Sequence, residues 1–303
     1  MEKLSVFAGR ANRPFAEALA LTLGTRLGQC SLEDFPDDEV YVRILEDIHG
    51  DDVFLIQSTS APVALHLLEL MFLADACRRG GAARLTAVIP YYGYARQDRR
   101  VLAGETVAAR VVVDILRTGF DRVIAVDLHN AAIEGFFDIP LEHVSAVPLL
   151  AEALRPSISN QYVVVAPDLG AVKLAQKYAD LLDLPVVYAH KVRMGGRKTR
   201  VHRIIGEVKG RSPLIVDDMI STGATMISTM EELLNRGCAP RMILAASHGL
   251  FVENALERFS SFPVEGIWVT DSVMLAKTNP SMPLHVVSVR DLIGEAITRL
   301  HRV

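Results

Sequence analysis

The stretch PLIVDDMISTGAT, residues 213–225, decides the fold predicted for this chain. Its apolar run Leu214–Val216 is long enough for a strand buried on both faces. Two adjacent carboxylates, Asp217 and Asp218, end the run, and a segment with helical spacing of apolar residues begins at Ile227. The order strand, carboxylates, turn and helix is typical of the ligand-binding edge of an α/β sheet.

The turn of this stretch consists of Ser221, Thr222, Gly223, Ala224 and Thr225. Backbone N–H groups at a helix N-terminus suit a phosphate, and the hydroxyl groups add donors. The neighbouring carboxylates would repel a bare phosphate but would accept hydrogen bonds from a vicinal diol. The stretch therefore predicts a sugar-phosphate site, most simply for ribose 5-phosphate. The alternative is a surface turn with an Asp near the N-cap, and the complete string favours the ligand.

Length and composition indicate an ordinary globular protein. The chain has 303 residues, of which 50% are hydrophobic and 22% charged, so we expect two domains. The net charge of -4 argues against a nucleic-acid partner. Cys30, Cys77 and Cys238 show no metal-ligand spacing, which is typical of buried thiols in a reducing compartment.

The longest apolar stretch, Ala61–Cys77, is interrupted by His66, Glu69 and Asp75. This pattern predicts an amphipathic helix and not a membrane span. The N-terminal residues lack the apolar core of a signal peptide. We therefore expect a cytoplasmic protein with no membrane partner.

Short apolar runs alternate with helical patterns along the chain. The predicted strands are Leu4–Ala8, Val53–Gln57, Leu85–Ile89, Val123–Val126, Tyr162–Ala166, Val186–Ala189, Leu214–Val216, Met242–Ala246 and Gly266–Val269. The predicted helices include Pro14–Leu23, Val63–Arg79, Val107–Thr118, Pro148–Leu154, Ala171–Leu182 and Met226–Arg236. The alternation predicts an α/β protein with largely parallel sheets flanked by helices, in two domains, 1–145 and 146–303.

A cationic segment follows one predicted strand. Residues 190–203 carry six Lys and Arg side chains around Gly195-Gly196. Such a run is usually a solvated loop, but beside a polyphosphate it could close over the reacting phosphates. The composition alone favours neither interpretation.

Seven strings across the chain resemble the ribose-phosphate pyrophosphokinase (PRPP synthetase) family and occur in its order. They are FPDDEVYVRI (35–44), VIPYYGYARQDRR (88–100), VDLHNAAIEGFFDIP (126–140), APDLGAVKLAQ (166–176), HKVR (190–193), RIIGEVKGR (203–211) and the stretch 213–225. The resemblance implies two phosphoribosyltransferase-type domains, the first on the ATP side and the second on the ribose 5-phosphate side. It also implies transfer of the β,γ-diphosphoryl group of ATP to the anomeric hydroxyl, which gives PRPP and AMP, with Mg²⁺ as cofactor.

The resemblance assigns roles to particular residues. The ATP-binding positions would be Phe35, Asp37, Asp38, Glu39, Arg96, Gln97, Asp98 and His129, with residues 35–39 reaching a neighbouring subunit's nucleotide. His129 and Asp168 would be associated with the metal, and Lys191 and Arg193 would stabilise charge on the transferred group. The ribose 5-phosphate positions would be Asp217, Asp218, Ser221, Thr222, Gly223, Ala224 and Thr225. Self-association to a dimer or hexamer and packing of the last helix on the first domain are also expected.

Several positions depart from the common pattern of the family. Ser221 stands where many members carry Asp, Ala64-Leu65 replaces an Asn-Asp pair, Ala171 replaces a glycine and Val192 replaces a frequent Arg. The sequence ends at Val303 without the Ser-containing tail of many phosphate-regulated members. We therefore expect weak or absent activation by phosphate.

Three other functions share part of this pattern. A non-catalytic homologue would bind nucleotide but would not need Lys191, Arg193, His129 and Asp168 together. A phosphoribosyltransferase that consumes PRPP would share residues 217–225 but would not need the strings at 35–44 and 88–100. A pyrophosphokinase for a related sugar phosphate would look the same, so this alternative stays open.

Overall fold

The computed structural model of the chain describes residues 2–193, 199–275 and 282–302, without the side chains of 191–193 and 199–202. The chain divides into two compact units. Unit 1 comprises Met1–Ser145, Ser272–Met274 and Ser288–Val303, and unit 2 comprises Ala146–Asp271 and Leu275–Val287.

Within the described residues, unit 1 contains a parallel sheet of five strands. In spatial order these are β1 (Leu4–Ala8), β4 (Asp52–Ile56), β5 (Arg84–Ile89), β6 (Arg122–Val126) and β7 (Leu141–Val144). The helices are α1 (Arg13–Thr22), α2 (Val63–Arg79), α3 (Ala108–Leu116) and α8 (Arg290–His301). Apolar side chains of the sheet, α2 and α3 form one core, because each element buries its apolar face against its neighbours.

A β-hairpin stands apart from this sheet in unit 1. Strands β2 (Cys30–Asp34) and β3 (Val40–Ile44) pair antiparallel, with Asp34 opposite Val40, and form their own two-stranded sheet. Leu32 and Val42 pack against the core from this hairpin. The sequence patterns gave no strand here, because the strands are short and each carries charged residues on its exposed face.

Helix α8 belongs to unit 1 although it lies at the end of the chain. The imidazole Nδ1 of His301 lies 2.9 Å from Oδ2 of Asp52, at the start of β4. Arg122, at the start of β6, donates a hydrogen bond of 2.9 Å to the carbonyl of Leu300. Arg84 at the start of β5 donates two hydrogen bonds to the same Asp52 carboxylate. The helix is thus fixed to one end of the sheet by a charged cluster.

Within its described residues, unit 2 contains a sheet of seven strands. In spatial order these are β10 (Thr199–Ile205), β9 (Val186–Arg193), β8 (Tyr162–Ala166), β11 (Ser212–Ile220), β12 (Met242–Gly249), β13 (Val264–Thr270) and β14 (Leu284–Val287). The β9–β10 pair is antiparallel and the other pairs are parallel. The helices are α4 (Val147–Leu154), α5 (Val172–Leu182), α6 (Ala224–Asn235) and α7 (Ala255–Phe259). The predicted α/β class with largely parallel sheets is confirmed.

Strand β11 runs through the middle of this sheet. Leu214 and Val216 pack into one core cluster and Ile215 into the other, so the strand is buried on both faces as predicted. Its predicted end at Val216 is wrong. Parallel pairing with β8 stops at Ile215, but pairing with β12 continues to Ile220 and keeps the backbone extended.

The predicted helix over Val63–Arg79 is observed with the same bounds. His66 and Glu69, which interrupt its apolar sequence, lie on its buried side. None of the helices in the described ranges has the length and apolar character needed to cross a bilayer.

Candidate functional site in two loops

The turn between β11 and α6 requires glycine at its centre. Gly223 adopts φ +72°, in the left-handed region, and forms the N-cap of α6. A Cβ atom at this position would lie 2.5 Å from Cζ of Phe259 on α7. Both the backbone angle and the packing therefore exclude a side chain at this point.

The carbonyl groups of this turn are held by a second segment of unit 2. The amide of Val252 donates to the carbonyl of Ser221 at 3.1 Å. Nη1 of Arg258 donates to the carbonyl of Thr222 at 2.8 Å. The sequence analysis missed Arg258, because it lies 36 residues from Thr222 and no local pattern links the two. These bonds fix the backbone of the turn before any ligand is present.

The amide groups of the turn point to anion binding. The first intrahelical hydrogen bond runs from the amide of Ile227 to the carbonyl of Gly223 at 2.9 Å. The amides of Ala224, Thr225 and Met226 precede it, so they have no acceptor within the helix. The N-cap residue Gly223 has no side chain to cap this N-terminus, the Thr222 hydroxyl accepts from the amide of Ala224 at a long 3.4 Å, and the first turn contains no acidic residue. The helix end therefore presents donors and a positive dipole end without a competing carboxylate.

The carboxyl group of Asp217 has a perturbed acidity. Burial raises the pKa of Asp217 well above its usual range, and the nearby carboxylates of Asp218 and Asp168 raise it further. The Asp217 Oδ1 accepts a hydrogen bond of 3.0 Å from the amide of Asp218, which opposes this rise only in part. The Asp218 and Asp168 carboxylates thus lie close enough to Asp217 to disfavour its negative charge, as expected where a cation or hydroxyl groups bind.

Asp168 lies at the turn between β8 and α5. Its Oδ1 accepts hydrogen bonds from the amides of Gly170 at 2.9 Å and Ala171 at 3.2 Å. Asp168 therefore stabilises the start of α5 in addition to any role with a ligand. The methyl group of Ala171, one of the departures from the family pattern, is buried in the unit 2 core.

Two predicted nucleotide strings meet in unit 1 because β5 and β6 are parallel neighbours. The Asp98 carboxylate, in the loop after β5, accepts a hydrogen bond of 2.7 Å from Nδ2 of Asn130, in the turn after β6. Arg96, Gln97 and His129 are exposed beside this link. The arrangement leaves exposed polar groups for a ligand on a backbone that Asp98 and Asn130 hold in place.

The hairpin tip in unit 1 exposes an aromatic ring. Phe35 is 50% exposed and contacts Tyr41 edge to face, with 5.9 Å between the ring centroids. Asp37, Asp38 and Glu39 are exposed as well. The backbone of the tip is ordered by a hydrogen bond of 2.8 Å from the amide of Phe35 to the carbonyl of Glu39. A half-exposed ring on an ordered tip is suited to stacking against a planar ligand.

The predicted catalytic cations fall in the β9–β10 region. The backbone of Lys191 pairs with Val201 and that of Arg193 with Thr199. Their side chains lie outside the described part of the structure, as do Arg197 and Lys198 of the same cationic segment. Their roles stay predictions.

Family models match both units. One described as the N-terminal domain of ribose phosphate pyrophosphokinase matches residues 4–119. A second, described as a phosphoribosyl transferase domain, matches residues 146–260.

Full-length relatives agree with these matches. A ribose-phosphate pyrophosphokinase of Gloeobacter violaceus is 40% identical over 302 residues, covering 99% of this chain and 91% of the relative. One of Bacillus caldolyticus is 39% identical, covering 99% and 96%. The crystal structure of phosphoribosylpyrophosphate synthetase from Mycobacterium smegmatis superposes with a TM-score of 0.92 at 35% identity, covering 99% of both chains. The seven strings, the two phosphoribosyltransferase-type domains and the full-length similarity agree, and the chain belongs to the ribose-phosphate pyrophosphokinase family.

Proposed function

We propose that this chain is a ribose-phosphate diphosphokinase. It transfers the β,γ-diphosphoryl group of ATP to the anomeric oxygen of ribose 5-phosphate. The sugar oxygen bonds to the β-phosphorus, and the bond between the β-phosphorus and the α,β-bridging oxygen breaks. The bridging oxygen leaves with AMP, and the proton of the sugar hydroxyl is released. The observation that carries this proposal is the paired carboxylates of β11 beside the uncapped N-terminus of α6, in a chain that matches the family over its full length.

The ribose 5-phosphate half of the reaction belongs to unit 2. Asp217 and Asp218 accept hydrogen bonds from the ribose hydroxyls, and residues 221–225 hold the 5-phosphate. Support comes from the helix N-terminus and from the carbonyl groups of the turn, which Val252 and Arg258 already hold. Because this backbone is preorganised, phosphate binding requires little ordering of the turn.

The nucleotide half belongs to unit 1. Phe35 stacks on the adenine, Asp37, Asp38 and Glu39 extend that contact, and Arg96, Gln97 and His129 contact the nucleotide from the loops after β5 and β6. Asp98 supports the site through its bond to Asn130. Lys191 and Arg193 stabilise the charge that develops on the transferred group.

A magnesium ion fits the carboxylates present. Hard oxygen donors suit Mg²⁺, and Asp168 and Asp218 add negative charge beside the buried Asp217, whose pKa is raised first by burial and then by these two carboxylates. The described residues contain no ready-made cage of three or more metal-ligating side chains. Asp168 in unit 2 and His129 in unit 1 are each proposed as metal-associated positions, and each would contact Mg²⁺ only together with substrate phosphates and water; when bound, the ion would neutralise phosphate charge.

Self-association and a cytoplasmic location complete the proposal. Leu68, Val111 and Ile115 expose apolar side chains on α2 and α3 and line a groove of about 410 Å³. Such a patch is typical of a protein–protein interface and supports assembly to a dimer or hexamer. The three cysteines, all described, are free thiols, as in a reducing compartment. Light scattering of the purified protein measures the assembly directly.

The test is incubation of the purified chain with ATP, Mg²⁺ and ribose 5-phosphate, with AMP and PRPP measured by mass spectrometry. Equal amounts of both products, formed only with the sugar, are expected. Binding of ATP without AMP formation would replace the proposal with a non-catalytic homologue. AMP formation that requires a different sugar phosphate would retain the reaction class and change the acceptor.

A further inference from the structure

Arg10 connects two distant parts of unit 1. Its Nε donates to Oε2 of Glu69 on α2 at 2.6 Å. Its Nη1 and Nη2 donate to the two carboxylate oxygens of Asp34 at 2.6 and 2.8 Å. One guanidinium group thus binds a carboxylate on the body of the unit and another on the hairpin, directly before Phe35. The hydrogen bonds that Arg10 donates to Asp34 and Glu69 raise the pKa of Arg10, which stays charged.

The Glu69 end of this link is rigid. The Glu69 side chain is fully buried, and its Oε1 accepts hydrogen bonds from the backbone amide of Arg10 at 2.6 Å and from Nε2 of Gln57 at 2.8 Å. A Cβ atom on Gly9 would lie 2.5 Å from Oε1 of Glu69, so the β1–α1 loop packs directly on this carboxylate. A buried carboxylate with this set of donors holds Arg10 in one position.

The Asp34 end lies at the outer end of the hairpin, next to the tip. Strands β2 and β3 pair only with each other within the described residues, and the hairpin is held to the unit through Cys30, Leu32, Val42 and Ile44, which pack against the core. The root of the hairpin is fixed by backbone hydrogen bonds such as that from the amide of Gly28 to the carbonyl of Val6 at 2.7 Å. Asp34 lies at the other end, where β2 meets the tip. A bidentate ion pair at this point restricts the orientation of the tip more than a single hydrogen bond would.

We propose that Arg10 is a positioning residue for nucleotide binding. Through its ion pair with Asp34 it holds the hairpin tip, residues 35–39, in one orientation. This inference rests on the proposed function, because that function assigns the tip to the nucleotide. Arg10 itself does not touch the substrate in this account. The sequence gave no indication of it, because Arg10 lies 24 residues from Asp34 and 59 from Glu69.

The decisive variant is Asp34→Ala, which releases the tip and leaves the Arg10–Glu69 pair intact. Arg10→Ala is less informative, since it would leave Glu69 buried without its cation and unfold the unit. Arg10→Lys keeps a positive charge near Glu69 but loses the two-pronged contact with Asp34. Glu33→Ala is the matched control, because Glu33 is also an exposed acid next to Asp34 but alternates to the other face of β2.

Two measurements are made on each variant: backbone hydrogen exchange of the segment 33–40, and steady-state kinetics with ATP and ribose 5-phosphate. For Asp34→Ala and Arg10→Lys we expect faster exchange and a KM for ATP raised by about three- to tenfold, with kcat and the KM for ribose 5-phosphate within about twofold. Glu33→Ala should match the unmodified chain. Increased KM for ATP without a matching change in kcat indicates lost positioning.

The outcomes separate this inference from the proposed function. Unchanged exchange in Asp34→Ala would overturn the role of the ion pair, whatever the activity. Faster exchange with an unchanged KM for ATP would show that the tip is held by Arg10 but does not position nucleotide, and would overturn the inference. Absence of AMP and PRPP with the unmodified chain would overturn the proposed function, while the exchange data would still decide whether Arg10 holds the tip.

Discussion

Gly223 lies against the ring of Phe259 so closely that a Cβ atom would meet Cζ at 2.5 Å. The turn 221–225 and helix α7 therefore pack directly against each other. The conformation of the turn depends on an aromatic residue 36 positions later in the chain, on the same element as Arg258, which holds the carbonyl of Thr222.

The first prediction concerns this contact. Gly223→Ala should lower the free energy of unfolding by about 2–4 kcal/mol, because it adds a strained backbone angle and a steric overlap. Binding of ribose 5-phosphate should be lost as the turn moves away from Phe259.

Gly237→Ala is the matched control at the other end of α6. Its φ is +75°, but the nearest heavy atom to its Cβ is 3.9 Å away, so it should lose only about 1 kcal/mol. Urea unfolding and calorimetric titration with ribose 5-phosphate measure both effects; equal losses in the two variants would contradict the role of Phe259.

The second prediction concerns the pH dependence from Asp217. Burial and the neighbouring carboxylates raise the pKa of Asp217 in the folded protein above its unfolded value of about 3.9. The folded state therefore binds this proton more tightly, and stability falls as pH rises from the unfolded pKa through the folded pKa. Asp217→Asn should remove this loss, so it should be more stable than the unmodified chain at pH 7 and similar at pH 3, while losing affinity for ribose 5-phosphate. Urea unfolding between pH 3 and 8 checks it, with the exposed Glu231→Gln as control. A variant less stable at pH 7 would contradict the raised pKa.

The third prediction concerns the cluster that fixes α8. Burial favours protonation of Asp52, but hydrogen bonds from Arg84 and His301 outweigh it and lower the pKa of Asp52. Its stabilising effect is thus present above the unfolded pKa and is lost as pH falls through the folded pKa. Asp52→Asn should reduce the free energy of unfolding at pH 7 by about 3–5 kcal/mol, because the Arg122 and Arg84 side chains would lose their shared carboxylate.

The control for the Asp52 prediction is Asp75→Asn. Asp75 pairs with Arg79 on the exposed surface of α2 at 2.8 Å, and such exposed pairs contribute little to stability because solvent screens them. Denaturant titrations of both variants at pH 7 and at pH 3 provide the comparison. A loss for Asp52→Asn that is no larger than that for Asp75→Asn would show that the cluster does not stabilise the unit.

The fourth prediction concerns catalysis. Lys191→Ala should reduce kcat by about a hundredfold or more and leave ATP affinity nearly unchanged, because a cation that stabilises only the transition state affects turnover and not ground-state binding. Rapid-quench turnover and equilibrium ATP binding measure the two quantities. Lys209→Ala, an exposed lysine of the same unit, is the control. Equal loss of turnover and ATP affinity would assign Lys191 to substrate binding.

Phosphate provides a fifth test, of regulation. The sequence predicts weak or absent activation, so initial rates at saturating Mg²⁺ should change by less than about twofold when inorganic phosphate is added. A steep rise would contradict this prediction. Sulfate at the same ionic strength controls for salt effects on the charged site.

The sequence by itself determined those features of the protein that depend on residues close together in the chain. The apolar run of β11 predicted a strand buried on both faces. A strand with one face exposed to solvent would alternate apolar and polar residues, whereas a strand buried on both faces is apolar throughout. The turn 221–225 predicts an anion site, because small residues before a helix expose backbone amides, and this assignment stays a prediction. The strings in family order identified the family, and the bounds of α2 were predicted without error. Each of these features depends on residues that are neighbours in the sequence.

Only the tertiary structure decided what depends on distant residues. The hairpin β2–β3 was missed because its strands are short and carry charged residues, and its apolar side chains are buried only by packing on the core. The extension of β11 past Val216 comes from pairing with β12. Other contacts join residues 24 to 59 positions apart. Arg10 links the buried Glu69 to Asp34, and Arg258 donates a hydrogen bond to the carbonyl of Thr222 in the turn 221–225. Sequence periodicity reports the local solvent exposure of each element, whereas these contacts depend on which elements the fold places side by side.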